Sequence, residues 1–176
     1  MQIEAYTIGH SNRRPYEFLS ILKHYNIEVL VDVRRWPKSR KYPWFNMETL
    51  KNLLEEQGIR YTWLEPLGGY RRFNRDVEDH GIARCFESQG FRAYATYILV
   101  NSRARETLEK LESIVRSHTT AIMCSERLPW MCHRKIISDW LLSRNIKVIH
   151  IIDRDYTVEH KLTKCAKIEE GSLTYT

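Results

Sequence analysis

The stretch EVLVDV, residues 28–33, is an almost continuous apolar run that leads to Asp32. Runs of this kind are typical of strands that are buried on both faces of a parallel sheet. Further short runs rich in apolar and β-branched residues lie at 3–8, 60–64, 119–124 and 147–153. The sequence therefore predicts five strands of one sheet.

Helical patterns separate these strands. From Pro15 onward, apolar residues recur at helical spacing, and Asn46 and Gly58 are a plausible cap and stop for a helix over 46–59. Residues 91–100, 102–117 and 131–145 are also predicted helices, while 65–89 is a polar, irregular excursion. This alternation predicts an α/β fold: a three-layer sandwich with a mostly parallel, Rossmann-like sheet of about five strands and helices on both faces.

The length of 176 residues fits a single domain over 1–176, with a core at 1–153 and a tail at 154–176 that has no strong periodicity. Charged residues make up 28% of the chain and no apolar run reaches 18 residues, so we expect no membrane-spanning helix. The first residues lack a basic start before a long apolar run, so we expect no signal peptide and a cytoplasmic location.

Four cysteines are spread along the chain, and without a signal peptide we expect them to stay reduced. Scarce glutamine beside abundant lysine, arginine and glutamate favours a thermophilic source. The formal net charge of +6 points to a nucleotide, phosphate or nucleic acid as partner, or only to a basic surface. Neither a cofactor nor an oligomeric state is predicted.

Polar residues cluster where the predicted strands end. Ligands of open parallel sheets bind beyond the carboxyl ends of the strands, so these clusters should converge on one site. The residues concerned are His10 and Ser11 after the first strand, Asp32 and Arg34 at the second, Arg71 after the third, Cys124 and Glu126 at the fourth, and Cys132, His133 and Arg134 at the following helix start.

The stretch MCSERLPWMCHR, residues 123–134, lies between that fourth strand and its helix. Unpaired N–H groups at a helix start favour an anion, and Arg134 would add a charge-assisted contact to a phosphate. The alternative is that Arg134 pairs with a carboxylate such as Asp32. We also predict that Ser11, Arg34 and Arg71 bind the anion.

The cysteines of this stretch admit several roles. Seven residues separate Cys124 from Cys132, which is not a zinc-finger or ribbon spacing, so we predict no metal site. A helix start and arginines lower thiol pKa values, so Cys124 is a candidate nucleophile, or else a small buried thiol. A Cys-x5-Arg phosphatase loop is disfavoured because residue 130 is tryptophan.

Glu126 and Asp32 are candidate acid–base catalysts, with His10 and His133 nearby to move protons or hold phosphate. The alternative for each carboxylate is a structural ion pair.

The segment 33–46 interleaves cations with aromatic residues, a composition suited to stacking on bases while neutralising phosphates. The alternative is a proline-rich loop whose aromatic residues pack on the core. Residues 70–75 (YRRFNR) repeat the pattern. The predicted nucleic-acid-binding residues are Arg35, Trp36, Lys38, Arg40, Lys41 and Trp44.

Taken together, the motifs resemble the domain of unknown function 488 family. The matching stretches are YTIGHSN (6–12), DVRRWPKS (32–39), LGG (67–69), FRAYATYI (91–98), MCSERLPWMCHR (123–134), KVIHI (147–151), EHKLT (159–163) and LTY (173–175). Ser125 departs from the alanine usual in the family. The resemblance implies an α/β fold and a shared site, and it implies no particular reaction.

Three functions follow as hypotheses. The first is an enzyme that cleaves or transfers at an N-glycosidic or phosphoester bond of a nucleotide or nucleic acid. The second is a non-catalytic nucleic-acid-binding module. The third is a thiol enzyme, a sulfurtransferase or redox protein that uses Cys124 or Cys132.

Overall fold

A computed structural model of the protein describes residues 2–176 and has a six-stranded central sheet. The strands are β1 (Ile3–Gly9), β2 (Val29–Asp32), β3 (Arg60–Trp63), β4 (Thr120–Cys124), β5 (Ile146–Asp153) and β6 (Tyr156–Glu159), in the order β3-β2-β4-β1-β5-β6. The first five strands are parallel and β6 is antiparallel to β5. A mostly parallel α/β sheet is thus confirmed.

Residues 2–176 contain five α-helices, which follow the predicted alternation. They are α1 (Pro15–His24), α2 (Met47–Glu56), α3 (Gln89–Val100), α4 (Ser102–Ser117) and α5 (Arg134–Ser143). Within this part of the chain, no helix has the length and apolar character needed to cross a membrane.

Local sequence explains where several helices begin. Ser88 Oγ accepts a hydrogen bond from the Phe91 backbone N–H at 3.2 Å, and this caps α3. Asn101 Oδ1 caps α4 by accepting from the Ala104 N–H at 2.9 Å. Asn46 occupies the predicted cap position of α2, but its side chain accepts instead from the Ser39 N–H at 2.6 Å.

Alternate residues of the central strands pack into two separate hydrophobic clusters. Leu30 of β2 belongs to one cluster, together with apolar residues of α1 and α2. Its neighbours Val29 and Val31 belong to the other cluster, together with residues of α3, α4 and α5. Because successive strand residues point to opposite faces, the strands are apolar throughout.

The predicted tail contains regular structure. Residues 156–159 form β6 of the central sheet, and β7 (Ala166–Glu169) pairs with β8 (Ser172–Tyr175) as an antiparallel hairpin. Tyr175 is buried in the second of the two clusters. These strands have four residues each and are largely exposed, which gives only a weak sequence signal.

The expectation that all four cysteines stay reduced is wrong for one pair. Cys85, in the 65–89 excursion, forms a disulfide with Cys165, which precedes β7. Eighty positions separate the two residues, so only the tertiary fold brings them together. Cys124 and Cys132 are free.

Backbone hydrogen bonds join the carboxyl ends of β1, β2 and β4. The N–H of His10 donates to the Cys124 carbonyl at 2.9 Å, and that of Val33 donates to the Met123 carbonyl at 2.9 Å. Gly9 is required here, because a Cβ atom would lie 1.8 Å from the Glu126 carbonyl oxygen. The loop after β4 is therefore held tightly against β1.

Candidate functional site

A pocket of about 590 Å³ opens beside the carboxyl ends of β2 and β4. Its walls come from residues within the segments 34–38, 69–70, 88–94 and 124–133. This volume lies in the range of small-molecule sites. The pocket therefore lies at the sheet edge where the polar clusters were predicted to converge.

Two free thiols form part of the pocket lining. Cys124 is the last residue of β4 and is 3% exposed, while Cys132 precedes α5 and is 6% exposed. Their Sγ atoms are 3.0 Å apart. The strand end and the helix start thus bring together the sulfur atoms of two residues that are eight positions apart in the chain.

Arg134 is fully buried and contacts both sulfur atoms. Its Nε lies 3.0 Å from Cys124 Sγ and 3.4 Å from Cys132 Sγ, and its backbone N–H donates to Cys132 Sγ at 3.2 Å. Its remaining guanidinium nitrogens donate to Thr7 Oγ1 and to the carbonyls of Glu126 and Arg127. Asp32, the carboxylate considered as an alternative partner of Arg134, takes no part in these contacts because it pairs with Arg34. The guanidinium of Arg134 faces both sulfur atoms, and the backbone N–H at the helix start faces the Cys132 sulfur.

These contacts give the two thiols different proton affinities. Burial by itself would raise the pKa of Cys132, but the hydrogen bond from Cys124 and the charges of Arg134 and His133 outweigh it and hold that pKa well below the usual range. Burial and the hydrogen bond to Cys132 raise the pKa of Cys124 well above its usual value. The two shifts have opposite directions, so the surroundings favour a thiolate on Cys132 rather than on Cys124.

His133 is fixed between a strand end and a glycine. Its Nε2–H donates to the Val33 carbonyl at 2.8 Å, and its ring meets the Tyr94 ring edge-on. Gly69 permits the close approach of the ring, because a Cβ there would lie 2.8 Å from His133 Nδ1. This contact gives the LGG stretch a packing role at the pocket.

Asp32 and Arg34 form a buried ion pair. Arg34 Nη2 donates to Asp32 Oδ2 at 2.7 Å and Nε donates to Oδ1 at 2.9 Å, while the Tyr61 hydroxyl also donates to Oδ2. Asp32 is fully buried. The charges of Asp32 and Arg34 therefore balance each other, which agrees with the alternative that Asp32 belongs to a structural ion pair.

His10 lies next to this pair. Its ring stacks on Phe45 with centroids 4.2 Å apart, and its Nδ1–H donates to the Ser11 carbonyl at 2.9 Å. Burial lowers the pKa of His10 to about 4. Among residues 2–176, the pocket lining includes Arg34 but neither His10, Ser11 nor Asp32.

Arg71 is buried as well and faces protein groups. It donates to the carbonyls of Gly68 and Glu65 and to the Glu65 carboxylate, and its guanidinium lies 4.8 Å from the centre of the Tyr97 ring. Glu126, by contrast, is exposed and lines the pocket.

The basic and aromatic stretch divides into two parts. Trp36 is 62% exposed and Tyr70 is 76% exposed; their rings stack 6.0 Å apart in the pocket lining, beside Arg35 and the exposed Lys38. Arg35 is paired with Asp76 at 2.9 Å. Arg40 and Lys41 are exposed beyond the lining, while Trp44 packs inward and donates to the Arg13 carbonyl at 2.8 Å.

Several lining residues were not predicted from the sequence. Tyr94 is buried and donates to the Leu67 carbonyl at 2.6 Å, and Ser88, Phe91 and Met131 line the same wall. Three of them lie on or next to α3, whose FRAYATYI stretch was noted only as a family motif. Within residues 2–176, no group of three or more histidine, cysteine, aspartate or glutamate side chains is arranged to hold a metal ion.

The fold and the pocket define an α/β protein with a buried thiol pair at the carboxyl ends of a parallel sheet. The chain belongs to the family described as Domain of unknown function DUF488, whose model matches residues 14–141. No curated protein and no solved structure matches the chain.

Proposed function

We propose that the chain is a thiol-dependent redox enzyme that reduces a disulfide-type bond of its substrate. Cys132 is the nucleophile and Cys124 is the resolving thiol. The observation that carries this proposal is the 3.0 Å separation of two free sulfur atoms in the lining of an open pocket. A disulfide needs about 2.05 Å, so the pair can close with a movement of about 1 Å.

The reaction follows thiol–disulfide exchange. The Cys132 thiolate attacks one sulfur of the substrate disulfide, the substrate S–S bond breaks, and a mixed disulfide forms as a thiolate leaves. Cys124 gives its proton to that leaving thiolate and then attacks the Cys132 sulfur. This second step releases the other half of the substrate and leaves a Cys124–Cys132 disulfide, so two electrons pass from the protein to the substrate.

The guanidinium of Arg134 supports the first step because its charge favours the thiolate form of Cys132. Cys124 keeps its proton until a leaving thiolate is present, because burial and its bond to Cys132 raise its pKa. A low-molecular-weight thiol would return the oxidised pair to the dithiol form by the same exchange in reverse.

The test uses an aromatic disulfide that releases a coloured thiol, followed by peptide mass spectrometry. Wild-type protein should release two equivalents of coloured thiol and end with a Cys124–Cys132 disulfide. The Cys124→Ser variant should release one equivalent and keep the adduct on Cys132. The Cys132→Ser variant should react at least tenfold more slowly at neutral pH.

Peptide mapping separates these products from the Cys85–Cys165 disulfide, which serves as an internal control. Equal reaction rates for wild type and Cys132→Ser would disprove the proposal, and so would a wild-type product without the internal disulfide.

A nucleotide- or nucleic-acid-acting enzyme remains a second candidate. It is favoured by the exposed Trp36–Tyr70 stack beside Lys38 at the pocket, since aromatic faces next to a cation suit a base and its phosphate. In this candidate the exposed Glu126 carboxylate supplies the acid or base. The related binding module would use the same cations without Glu126.

Oligonucleotide binding measured against salt concentration tests this second candidate. Neutralising Lys38, Arg40 and Lys41 together should weaken binding and flatten the salt dependence. Loss of a cleavage activity in Glu126→Gln, with binding unchanged, would favour the enzyme over the binding module. Unmeasurable oligonucleotide binding at low salt would rule out the binding module and an enzyme that acts on nucleic acid.

The two hydrophobic clusters also support our interpretation of the architecture as a three-layer sandwich. In this interpretation α1 and α2 cover one face of the sheet and α3 to α5 cover the other.

A further inference from the structure

Arg134 is held in place from the side opposite the sulfur atoms. Its Nη1–H donates to Thr7 Oγ1 at 2.8 Å, and both side chains are fully buried. Thr7 lies on β1, where it is paired in register with His150 of β5. The hydroxyl of Thr7 therefore stands between the arginine and a buried histidine.

A chain of hydrogen bonds continues from Thr7 through two histidines to a carboxylate. Thr7 Oγ1 lies 2.6 Å from His150 Nδ1, His150 Nε2 lies 2.9 Å from His160 Nδ1, and His160 Nε2 lies 2.8 Å from Asp139 Oδ1. All four of these side chains are buried. Asp139 belongs to α5, five residues after Arg134, so the chain closes a ring between the sheet and one helix.

The two ends of this ring limit the bond directions within it. Arginine can only donate and a carboxylate can only accept. The Thr7 oxygen accepts from Arg134, so its hydroxyl hydrogen is free to point at His150 Nδ1. In that arrangement His150 carries its proton on Nε2 and donates to His160, which carries its proton on Nε2 and donates to Asp139.

Asp139 is anchored by two further donors. The Tyr175 hydroxyl donates to Oδ2 at 2.8 Å and the Thr163 backbone N–H donates to Oδ1 at 3.0 Å. Within residues 2–176, every buried side-chain nitrogen and oxygen has a hydrogen-bond partner. The C-terminal strands therefore secure the far end of a fully satisfied buried network.

We propose that Thr7, His150, His160 and Asp139 form a positioning relay that orients the Arg134 guanidinium toward the two pocket sulfurs. The inference rests on the proposed thiol function. The relay residues do not touch the substrate; they act through Arg134. Each bond in the chain polarises the next, so the Asp139 charge makes the Thr7 oxygen a stronger acceptor for Arg134.

The consequence for the site is a pH effect. The groups that face the Cys132 sulfur are Arg134, Cys124 and His133, with Tyr94, Lys135 and His150 farther out. If Thr7 no longer accepts from Arg134, the guanidinium can turn away from the sulfur atoms. The Cys132 thiolate would then lose a stabilising charge and its apparent pKa would rise.

The first measurement needs no variant. Long-range proton–nitrogen NMR correlations of wild-type protein report which ring nitrogen of each histidine is protonated. We expect both His150 and His160 to carry the proton on Nε2 at neutral pH. A proton on Nδ1 of either ring would contradict the bond directions and overturn the relay.

The second measurement is the pH profile of Cys132 alkylation in matched variants. Thr7→Val removes the hydroxyl and Thr7→Ser keeps it. Thr120→Val is the matched control, because it removes a hydroxyl at another buried strand position, where Thr120 donates to the His118 carbonyl. We expect Thr7→Val to raise the apparent pKa of Cys132 by about one unit, a tenfold loss of rate at low pH. Thr7→Ser and Thr120→Val should keep the wild-type profile.

The outcomes distinguish the relay from the proposed function. A wild-type profile in folded Thr7→Val, with Cys132 still strongly acidic, would refute the relay and leave the thiol function standing. An ordinary thiol pKa for Cys132 in wild-type protein would refute the thiol function itself. If Thr7→Val does not fold, the histidine tautomers in wild-type protein still test the relay.

Discussion

Acid should destabilise the fold because two histidines are buried in their neutral form. His10 and His150 are each 3% exposed, and burial is the largest cause that lowers their pKa values, to about 4 and about 3 respectively. An unfolded histidine has a pKa of about 6.5. As the pH falls below 6.5, the unfolded state therefore takes up these protons before the folded state does.

The size of the effect follows from linkage. At pH 5 both folded-state pKa values still lie below the pH, so protonation stabilises almost only the unfolded chain. Each histidine then lowers the free energy of unfolding by about 2 kcal/mol relative to pH 8. The loss begins near pH 7 and continues until the pH passes below the folded-state values.

Urea unfolding of wild type and His10→Gln at pH 8 and pH 5 measures this contribution. The change in unfolding free energy between the two pH values should be about 2 kcal/mol smaller in His10→Gln. His24→Gln, at an exposed helix end, is the matched control and should follow the wild-type curve. An unaltered pH dependence in His10→Gln would show that His10 titrates in the folded state as it does in the unfolded chain.

Three further predictions concern stability measured by urea unfolding. Cys85→Ser should lower the free energy of unfolding of the oxidised protein by about 4 to 5 kcal/mol, because the disulfide closes a loop between residues 80 positions apart. If a reductant left the urea midpoint of wild-type protein unchanged, this prediction would be wrong. Gly9→Ala should lower the free energy of unfolding by more than the roughly 1 to 3 kcal/mol typical of overpacking. Gly58→Ala should lower it by only about 1 to 2 kcal/mol, because the added Cβ meets open space and only the φ of +78° is strained. Equal costs for the two variants would contradict the close contact at Gly9. Asp32→Asn should cost about 3 to 5 kcal/mol because it leaves a buried arginine without its charge partner, and a cost below 1 kcal/mol would show that the pair is not structural.

The strand map was predictable because the sheet is apolar on both faces. Runs such as EVLVDV mark buried parallel strands, and all five predicted strands occur with bounds that differ by at most two residues. The edge strand β6 and the hairpin strands β7 and β8 were not predicted. They have four residues each and alternate only weakly, so their pairing depends on tertiary contacts that no local pattern encodes.

The position of the pocket was predictable from the sequence, whereas the orientation of the side chains around it was less so. Strand ends placed Cys124, Glu126 and His133 at one edge, and the pocket lies there. The partner of each arginine could not be predicted, because Arg134 turns inward to the sulfur atoms and Arg34 turns to Asp32. His150 interrupts the apolar run KVIHIID, and a polar residue in a buried strand indicates a buried hydrogen-bond partner. His150 was nevertheless not among the predicted site residues.

The internal pairing of these arginines changes what the positive charge of the sequence implies. Three arginines predicted to bind an anion, and Arg35, predicted to bind nucleic acid, already contact carboxylates, carbonyls or sulfur; the three are Arg34, Arg71 and Arg134. Lys38, by contrast, is exposed in the pocket lining. A guanidinium that pairs with a carboxylate cannot also neutralise a phosphate. A guanidinium that faces a thiol lowers the pKa of that thiol. The buried cation at this site therefore supports the proposed thiol chemistry, and the exposed cations Lys38, Arg40 and Lys41 are the ones that an anionic ligand can reach.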